Sequence, residues 1–438
     1  MMKIALCKSH FAGPISGADE TLVAYALGLH GLGYNVQVVL LYRCVDDDQY
    51  YVRLKDAGVP VSFVITRSRM FEVLRRCRDL LASALFLILL PPRSPDILRR
   101  IWRTVMEGMA RFHYRACRTF FRAIEADVLH VFTPDTGAAL MISVAHELGI
   151  PVLYQELGTA QHLPELDPCY RDFEKVLPLC SEFGALSPSL AAEWSARFPS
   201  LRSVSVLPLI IERCKTFNLP SPLSVDPEEI VFGFAARLEA GKGPLVLMDA
   251  LVKVNGEGPL AVARMAGVGP QLLELKARTR ELALGDACEF VGHYSEPLGR
   301  SAFMNSLDVF VLPSFAEGTP NSIVEAMAHG IPVIASEVGG IPDMIGEDAG
   351  IRVVPGDSTA LAEAMLRLAK DPELRKKMGA AAQERYQRLF SPKAVMPLML
   401  DLYQRAAGNG HAANAKASGN GNLHPWAKSS NGKSETSL

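Results

Sequence analysis

No CxxC pair with metal-ligand spacing occurs in the 438 residues, and the eight cysteines, Cys7, Cys44, Cys77, Cys117, Cys169, Cys180, Cys214 and Cys288, stand apart from one another. This argues against a zinc ribbon or a disulfide scaffold, and the scattered single thiols fit a reducing cytoplasm. Long apolar runs are also missing. The longest, Leu80–Leu90, has eleven residues, whereas a hydrocarbon core of ~30 Å needs about 20, so no transmembrane span is expected. The opening MMKIALCKSHFAG lacks the apolar stretch and small-residue cleavage site of a leader and reads as a first strand, Lys3–Cys7. Charge of one sign is absent too: 45 basic residues face 47 acidic ones, for a net charge of −2. The chain as a whole is therefore no polyelectrolyte binder, and without a recognisable nucleic-acid module no nucleic-acid partner is expected. What the chain does have is hydrophobic residues, 49% of the total, enough for large cores, and length enough for two domains.

Short apolar runs alternate with helix-length segments along most of the chain. In the first half, Lys3–Cys7, Val36–Leu41, Val59–Ile65, Asp127–Phe132, Val152–Tyr154 and Val204–Leu207 read as strands, with helices at Gly137–Leu148 and Ser189–Ala196. The pattern breaks at Pro208–Glu228, a hinge with four prolines and little periodicity, and then restarts. Ile230–Ala235, Ala261–Ala266, Cys288–Val291, Val309–Leu312, Val333–Ala335 and Ile351–Val353 read as strands; Leu245–Val254, Gln271–Leu282, Asn321–His329 and Thr359–Leu368 read as helices. Such alternation implies βαβ units on parallel sheets. The expected fold class is α/β, with two Rossmann-like doubly wound parallel-sheet domains facing across a cleft where ligands meet the strand ends. The expected boundaries are 1–210, with a helical insert at 67–122, then 211–390, a terminal helix at 391–407 and a disordered Gly/Asn/Ser/Lys-rich tail at 408–438.

The most informative stretch runs from Phe310 to Ser336, FVLPSFAEGTPNSIVEAMAHGIPVIAS. A strand ends at Leu312, a loop follows, and a helix opens with Thr319 as N-cap and Pro320 at its first position. A helix N-terminus at a strand's carboxyl edge offers unpaired N–H groups and a positive dipole end to a diphosphate. Glu317 precedes that terminus and Glu325 follows it. Two acids beside an anion site make chemical sense if they accept hydrogen bonds from sugar and ribose hydroxyls. Upstream, Phe234–Gly243 (FAARLEAGKG) ends a strand at Arg237 and places Lys242 before a helix, and two cations would neutralise a leaving diphosphate if they converged beside the helix N-terminus.

The E-x7-E spacing of Glu317 and Glu325 inside EGTPNSIVEAMAHGIPVIAS resembles the signature of the retaining group 1 glycosyltransferases, glycosyltransferase family 4. The R-L-x-x-x-K-G element at Arg237–Gly243 and the turns Gly267–Pro270 and Phe290–Tyr294 are similar to further motifs of that family. The likeness spans Val231 to about Leu389 and, more loosely, the first domain. It implies the GT-B fold, with a C-terminal helix crossing back toward the N-terminal domain. It assigns Glu317 to the donor sugar, Glu325 to the ribose, and the backbone of Gly318, Thr319, Pro320, Asn321 and Ser322 to sugar hydroxyls and phosphate. Arg237 and Lys242 stabilise the leaving diphosphate, while Gly267, Val291, Gly292 and His293 lie around the nucleotide. The implied reaction is transfer of a sugar from a UDP-, GDP- or other nucleoside-diphosphate sugar to a glycan or lipid-linked acceptor hydroxyl with anomeric retention. No cofactor and no metal are implied.

The first domain departs from the family pattern. Where a Gly-Gly loop usually follows the first strand, Ser16 and Gly17 stand. Where a histidine is common after the fifth strand, the place falls on Leu157, with Glu156 and His162 as neighbours; Glu156 either takes part of that role or is an ordinary polar strand end. Ser187 reads as a helix cap and His130 as a structural strand residue. Asp46, Asp47 and Asp48 read as a solvated loop. The insert 67–122 carries 13 arginines against four acids, an excess of nine, on helices interleaved with apolar residues. Such a surface suits an anionic membrane leaflet, and an ordinary solvated helix face is the other reading. Three functional rivals stay open at this point. A sugar-nucleotide epimerase would turn over donor alone, a phosphorylase would require phosphate, and a non-catalytic nucleotide-sugar-binding, membrane-associated protein would bind without turnover.

Overall fold

The computed structural model describes residues 2–12, 16–66, 96–159, 173–201, 203–211, 229–293 and 297–417; at 96–107, 109, 297–298 and 409–417 it describes the backbone alone. The first sheet holds β1 (Lys3–Lys8), β2 (Asn35–Tyr42), β3 (Val61–Ile65), β4 (Val128–Phe132), β5 (Val152–Glu156), β6 (Glu182–Ala185) and β7 (Val204–Val206), in the order β3-β2-β1-β4-β5-β6-β7. The second holds β8 (Ile230–Ala235), β9 (Ala261–Ala266), β10 (Cys288–Gly292), β11 (Val309–Leu312), β12 (Val333–Ser336) and β13 (Gly350–Val353), in the order β10-β9-β8-β11-β12-β13. Neighbouring strands in both sheets are parallel. Strands β4, β5, β9, β11 and β12 are buried on both faces throughout, which is why such strands read as largely apolar runs, while the outer strands β3, β7 and β10 are mostly half-buried. In each sheet the order reverses between the first strand and its later neighbour, β1 beside β4 and β8 beside β11, which sets the ligand crevice at those strands' carboxyl ends.

The helices are α1 (Gly17–Gly31), α2 (Gln49–Asp56), α3 (Asp96–Ile124), α4 (Thr136–Leu148), α5 (Pro188–Arg197), α6 (Pro244–Glu257), α7 (Leu272–Glu281), α8 (Pro297–Met304), α9 (Asn321–Ala328), α10 (Ile341–Ile345), α11 (Ser358–Lys370), α12 (Pro372–Leu389) and α13 (Pro392–Ala417). Strand β6 went unread in the sequence because EFGA is short and Glu182 and Gly184 break its apolar run. Helices α1, α2, α8, α10 and α12 were also unread. Helix α13 continues ten residues past the expected 407, and residues 418–438 lie outside the described ones, as do 67–95 of the insert and 212–228 of the hinge. Ser187 caps α5 as expected, its hydroxyl accepting from the Leu190 N–H. Asp48 caps α2 and Asp46 pairs with Arg43, so the acidic run is held as local loop structure.

Helix α13 crosses back onto the N-terminal domain. Val395, Met396, Met399, Leu402, Tyr403 and Ala406 share one apolar cluster with Ile4 and Leu6 of β1 and with Tyr25 and Leu29 of α1. Gly28 makes this possible, because a Cβ there would sit 2.3 Å from the Met396 methyl. The Tyr403 hydroxyl meets His130 Nδ1 at 2.8 Å inside this core. Burial holds His130 neutral, with its pKa lowered to about 3, the structural role expected of it.

Candidate active site

Two loops from neighbouring strands β8 and β11 build the centre of the site. The β8 loop turns at Ala240–Lys242 and enters α6 through Gly243, which has φ +69°. A Cβ at Gly243 would lie 2.1 Å from the Pro313 carbonyl, so glycine there lets the two loops touch. The Phe315 N–H donates to the Gly241 carbonyl at 2.9 Å and ties them together. Lys242 Nζ consequently reaches Glu317 Oε1 at 2.7 Å, and the Ser314 hydroxyl donates to the same oxygen at 2.8 Å. Glu317 is nearly buried, its side chain 8% exposed. Ser314, three residues earlier in the same loop, is a site residue that the sequence motif did not single out. Arg237 turns instead to Glu239 at 3.0 Å and is 60% exposed; the structure does not bring its guanidinium to either glutamate.

The expectation for Thr319 needs correcting. Pro320 occupies the N-cap position, α9 begins at Asn321, and no side chain caps it. The cause is the loop's confinement. A Cβ at Gly339, where φ is +53°, would lie 1.7 Å from the Glu317 carbonyl, and one at Gly318 would lie 2.5 Å from the Leu157 carbonyl of the other domain. Between these walls Thr319 is pressed inward, with its methyl against Gly340 and its hydroxyl oxygen buried without a partner among the described residues. The first N–H groups of α9, at Asn321 and Ser322, have no carbonyl one turn back to accept them. A buried unpartnered hydroxyl and an uncapped helix start therefore lie side by side.

The turns of β9 and β10 meet next to this centre. The Gly267 N–H donates to the Gly292 carbonyl at 2.7 Å, and both glycines take positive φ, +144° and +73°. A Cβ at Gly267 would collide with the Ala236 carbonyl at 1.9 Å. Val291 is half-buried and His293 exposed beside them.

Across the cleft, α1 presents its start to α9: Asn321 Nδ2 donates to the Gly17 carbonyl at 3.3 Å. Ser16 caps α1, its hydroxyl accepting from the Asp19 N–H at 3.2 Å. Lys8 and Asp19 form a buried ion pair beneath it, and Asp19 also accepts from the Ala12 N–H. Glu156 ends β5, but both of its oxygens are engaged: Oε2 by the Tyr154 hydroxyl at 2.6 Å, and Oε1 by the Leu157 and Gly158 N–H groups at 2.9 Å each. Burial pushes its carboxyl upward against the pull of these donors. Glu156 thus shapes the Leu157–Gly158 turn that faces Gly318. His162 lies outside the described residues.

Glu325 lies one turn into α9, 9% exposed, with Arg300 Nη1 of α8 at 3.3 Å from its Oε1. Arg300 carried no signal in the sequence, being an isolated arginine in a stretch without a motif. Among the described residues, no group of three His, Cys, Asp or Glu side chains could hold a metal ion.

This architecture, two doubly wound domains closed over a crevice, is that of solved GT-B glycosyltransferases. Anabaena Alr3699/HepE, solved with UDP and glucose, superposes with a TM-score of 0.64 at 17% identity, over 95% of this chain and all of that one. Staphylococcus aureus TarM gives 0.68 at 11% identity, over 92% of this chain and all of that one. The sequence pattern described as "Glycosyl transferases group 1" matches residues 216–385. Among curated relatives, the D-inositol 3-phosphate glycosyltransferase of Saccharomonospora viridis is 31% identical over 42% of this chain and 44% of its own. The lipopolysaccharide core biosynthesis glycosyltransferase LpsD of Rhizobium meliloti is 36% identical over 32% and 40%. The colanic acid biosynthesis glycosyltransferase WcaL of Salmonella typhimurium, itself a provisional assignment, is 25% identical over 58% and 62%. The chain thus spans about two to three fifths of the length of these relatives. The fold is GT-B, and residues 216–385 are similar to the group 1 glycosyltransferases.

Proposed function

We propose that the protein is a retaining glycosyltransferase that moves a sugar from a nucleoside-diphosphate sugar to an acceptor hydroxyl on a lipid-linked or cell-envelope glycan. The observation that carries this reading is Lys242 held at 2.7 Å from Glu317, in a loop that leads into the uncapped start of α9. An ammonium has three N–H donors, so Lys242 can hold Glu317 and still donate a hydrogen bond to a phosphate oxygen. The N–H groups of Asn321 and Ser322 and the Thr319 hydroxyl supply further donors. Arg237, exposed at the rim, swings from Glu239 to the diphosphate. These groups stabilise charge that appears as the glycosidic bond to the leaving diphosphate lengthens, which is where donors lower a barrier. Glu317 accepts from donor-sugar hydroxyls and Glu325 from the ribose. The acceptor hydroxyl attacks from the face the diphosphate leaves, and a leaving phosphate oxygen takes its proton, so configuration is retained. Loop contacts across the cleft, Gly318 on Leu157 and Asn321 on Gly17, exclude water that would hydrolyse the donor.

Two structural neighbours, HepE and TarM, are solved with UDP, which makes UDP the first nucleotide to try and GDP the second. The envelope and exopolysaccharide roles in the relatives' names, core lipopolysaccharide, colanic acid and amylovoran, support a glycan acceptor. The basic segment 67–122 would attach the enzyme to the cytoplasmic face of an anionic membrane: Arg111, Phe112, Arg115 and Arg122 are exposed on α3. No helix among the described residues is long and apolar enough to cross a bilayer. The direct test is a thermal-shift screen of nucleoside diphosphates. One of them should raise the midpoint, and Glu325→Ala should reduce that rise. No response to any of them would overturn the reading. Recovery with anionic vesicles but not with neutral ones tests the attachment.

A further inference from the structure

Arg300 links the two domains through the very carboxylate assigned to the ribose. Its Nη1 lies 3.3 Å from Glu325 Oε1 in the C-terminal domain and 3.4 Å from Glu20 Oε2 in the N-terminal one. Glu20 is held in turn by Arg53, whose Nη1 is 2.9 Å from both of its oxygens. The result is a chain of alternating charge from α2 through α1 and α8 to α9, and its inner members are largely buried: Arg300 is 17% exposed, Glu20 16% and Glu325 9%. Withdrawing such groups from water costs about as much as their attraction returns, so a chain like this is better explained by what it orients than by what it stabilises. Its position fits that explanation. Glu20 lies in the first turn of α1, three residues after the Gly17 carbonyl that accepts from Asn321. The start of α1 is therefore attached to α9 twice, once at the uncapped helix start and once at Glu325.

We propose that Arg300 is a positioning residue of the donor site, orienting Glu325 toward the ribose diol while Glu20 anchors the guanidinium from the opposite domain. This rests on the nucleotide-sugar reading above. The consequence is that nucleotide affinity depends on a carboxylate in the domain that does not itself hold the nucleotide. Ribose recognition and closure of α1 over the phosphates then become one event.

Calorimetric titration of the full chain with UDP and GDP tests this, alongside kinetics with the corresponding donor sugar. Arg300→Met should weaken the nucleotide that binds by about tenfold, and Arg300→Lys should recover part of the loss. Glu20→Gln should weaken it about threefold, with the effect falling on the donor KM rather than on kcat. The double variant Arg300→Met with Glu325→Gln should bind no worse than Glu325→Gln alone, because Arg300 acts through that carboxylate; a purely structural arginine would add its own loss. Unchanged affinity in Arg300→Met, or full additivity in the double variant, overturns the positioning role while leaving the transferase reading intact. A wild-type chain that binds neither UDP, GDP nor another nucleoside diphosphate overturns that reading and this inference with it.

Discussion

At the scale of single residues, the site is defined by how few groups serve each task. Among the described residues, Lys242 is the one cation placed on Glu317. Lys242→Met should lower kcat by about 10²–10³, the cost of removing one preorganised donor from developing charge, with donor KM changed far less. Steady-state kinetics on the purified variant check this. His130 makes a second residue-scale prediction. Its folded pKa is lowered to about 3 by burial, against about 6.5 when unfolded. A depressed histidine binds its proton less readily when folded, so the stability it permits is present in full above pH 6.5 and is lost as pH falls from 6.5 toward 3. The loss should reach about 2 kcal/mol by pH 5, at ~1.4 kcal/mol per pH unit. Urea midpoints measured from pH 7 to 5 should therefore fall, and His130→Phe should flatten the slope.

At the scale of elements, helix α13 belongs by sequence to the C-terminal half and by packing to the N-terminal core. Tyr403 is fully buried there and bonds His130. Tyr403→Ala should cost about 3–5 kcal/mol, as truncation of a buried aromatic does. Hydrogen exchange should locate the lost protection in β1 and β4 rather than in the second sheet. The loop Pro313–Pro320 is the other decisive element, since its path is dictated by glycines that face it. Gly339→Ala must place a methyl group where the Glu317 carbonyl lies, in a backbone region that favours glycine. The variant should lose activity by displacing Glu317 while the second sheet stays folded.

At the scale of the whole molecule, the two domains are joined at several points around the crevice. Asp343 of α10 accepts from the N–H and hydroxyl of Ser189 at the start of α5, at 2.8 and 2.6 Å. Burial alone would raise this carboxyl, yet the Ser189 and Ser187 donors and Arg385 hold it below its ordinary value. The Tyr386 hydroxyl donates to the Ile211 carbonyl close by. Asp343→Ala should loosen the domains. Small-angle scattering should show a larger radius of gyration, and kcat and nucleotide affinity should both fall, because Glu20 anchors Arg300 from the N-terminal domain only while the domains are closed. Equal scattering from the two proteins would mean that this contact does not hold the domains together.

Local pattern alone was sufficient for much of this. Apolar runs broken by turn residues located twelve of the thirteen strands, because a strand buried on both faces of a parallel sheet must be written in Val, Ile, Leu and Phe. It missed β6, where Glu182 and Gly184 interrupt the run. Spacing in the Pro313–Glu325 stretch located the strand, loop and helix that bring Glu317 to Lys242. Other features depend on groups far apart in the chain and had no local signal. Thr319 is denied its cap by Gly318, Gly339 and Leu157 closing around it. Glu156 is committed to its own turn. Arg300 reaches Glu325 within its own domain, and Glu20 only because the two domains meet, while α13 finds its core far upstream, Tyr403 meeting His130 at a separation of 273 residues. Hydrophobic pattern and turn chemistry are written along the chain, whereas charge pairing and close backbone approach across a cleft exist only once the domains have met.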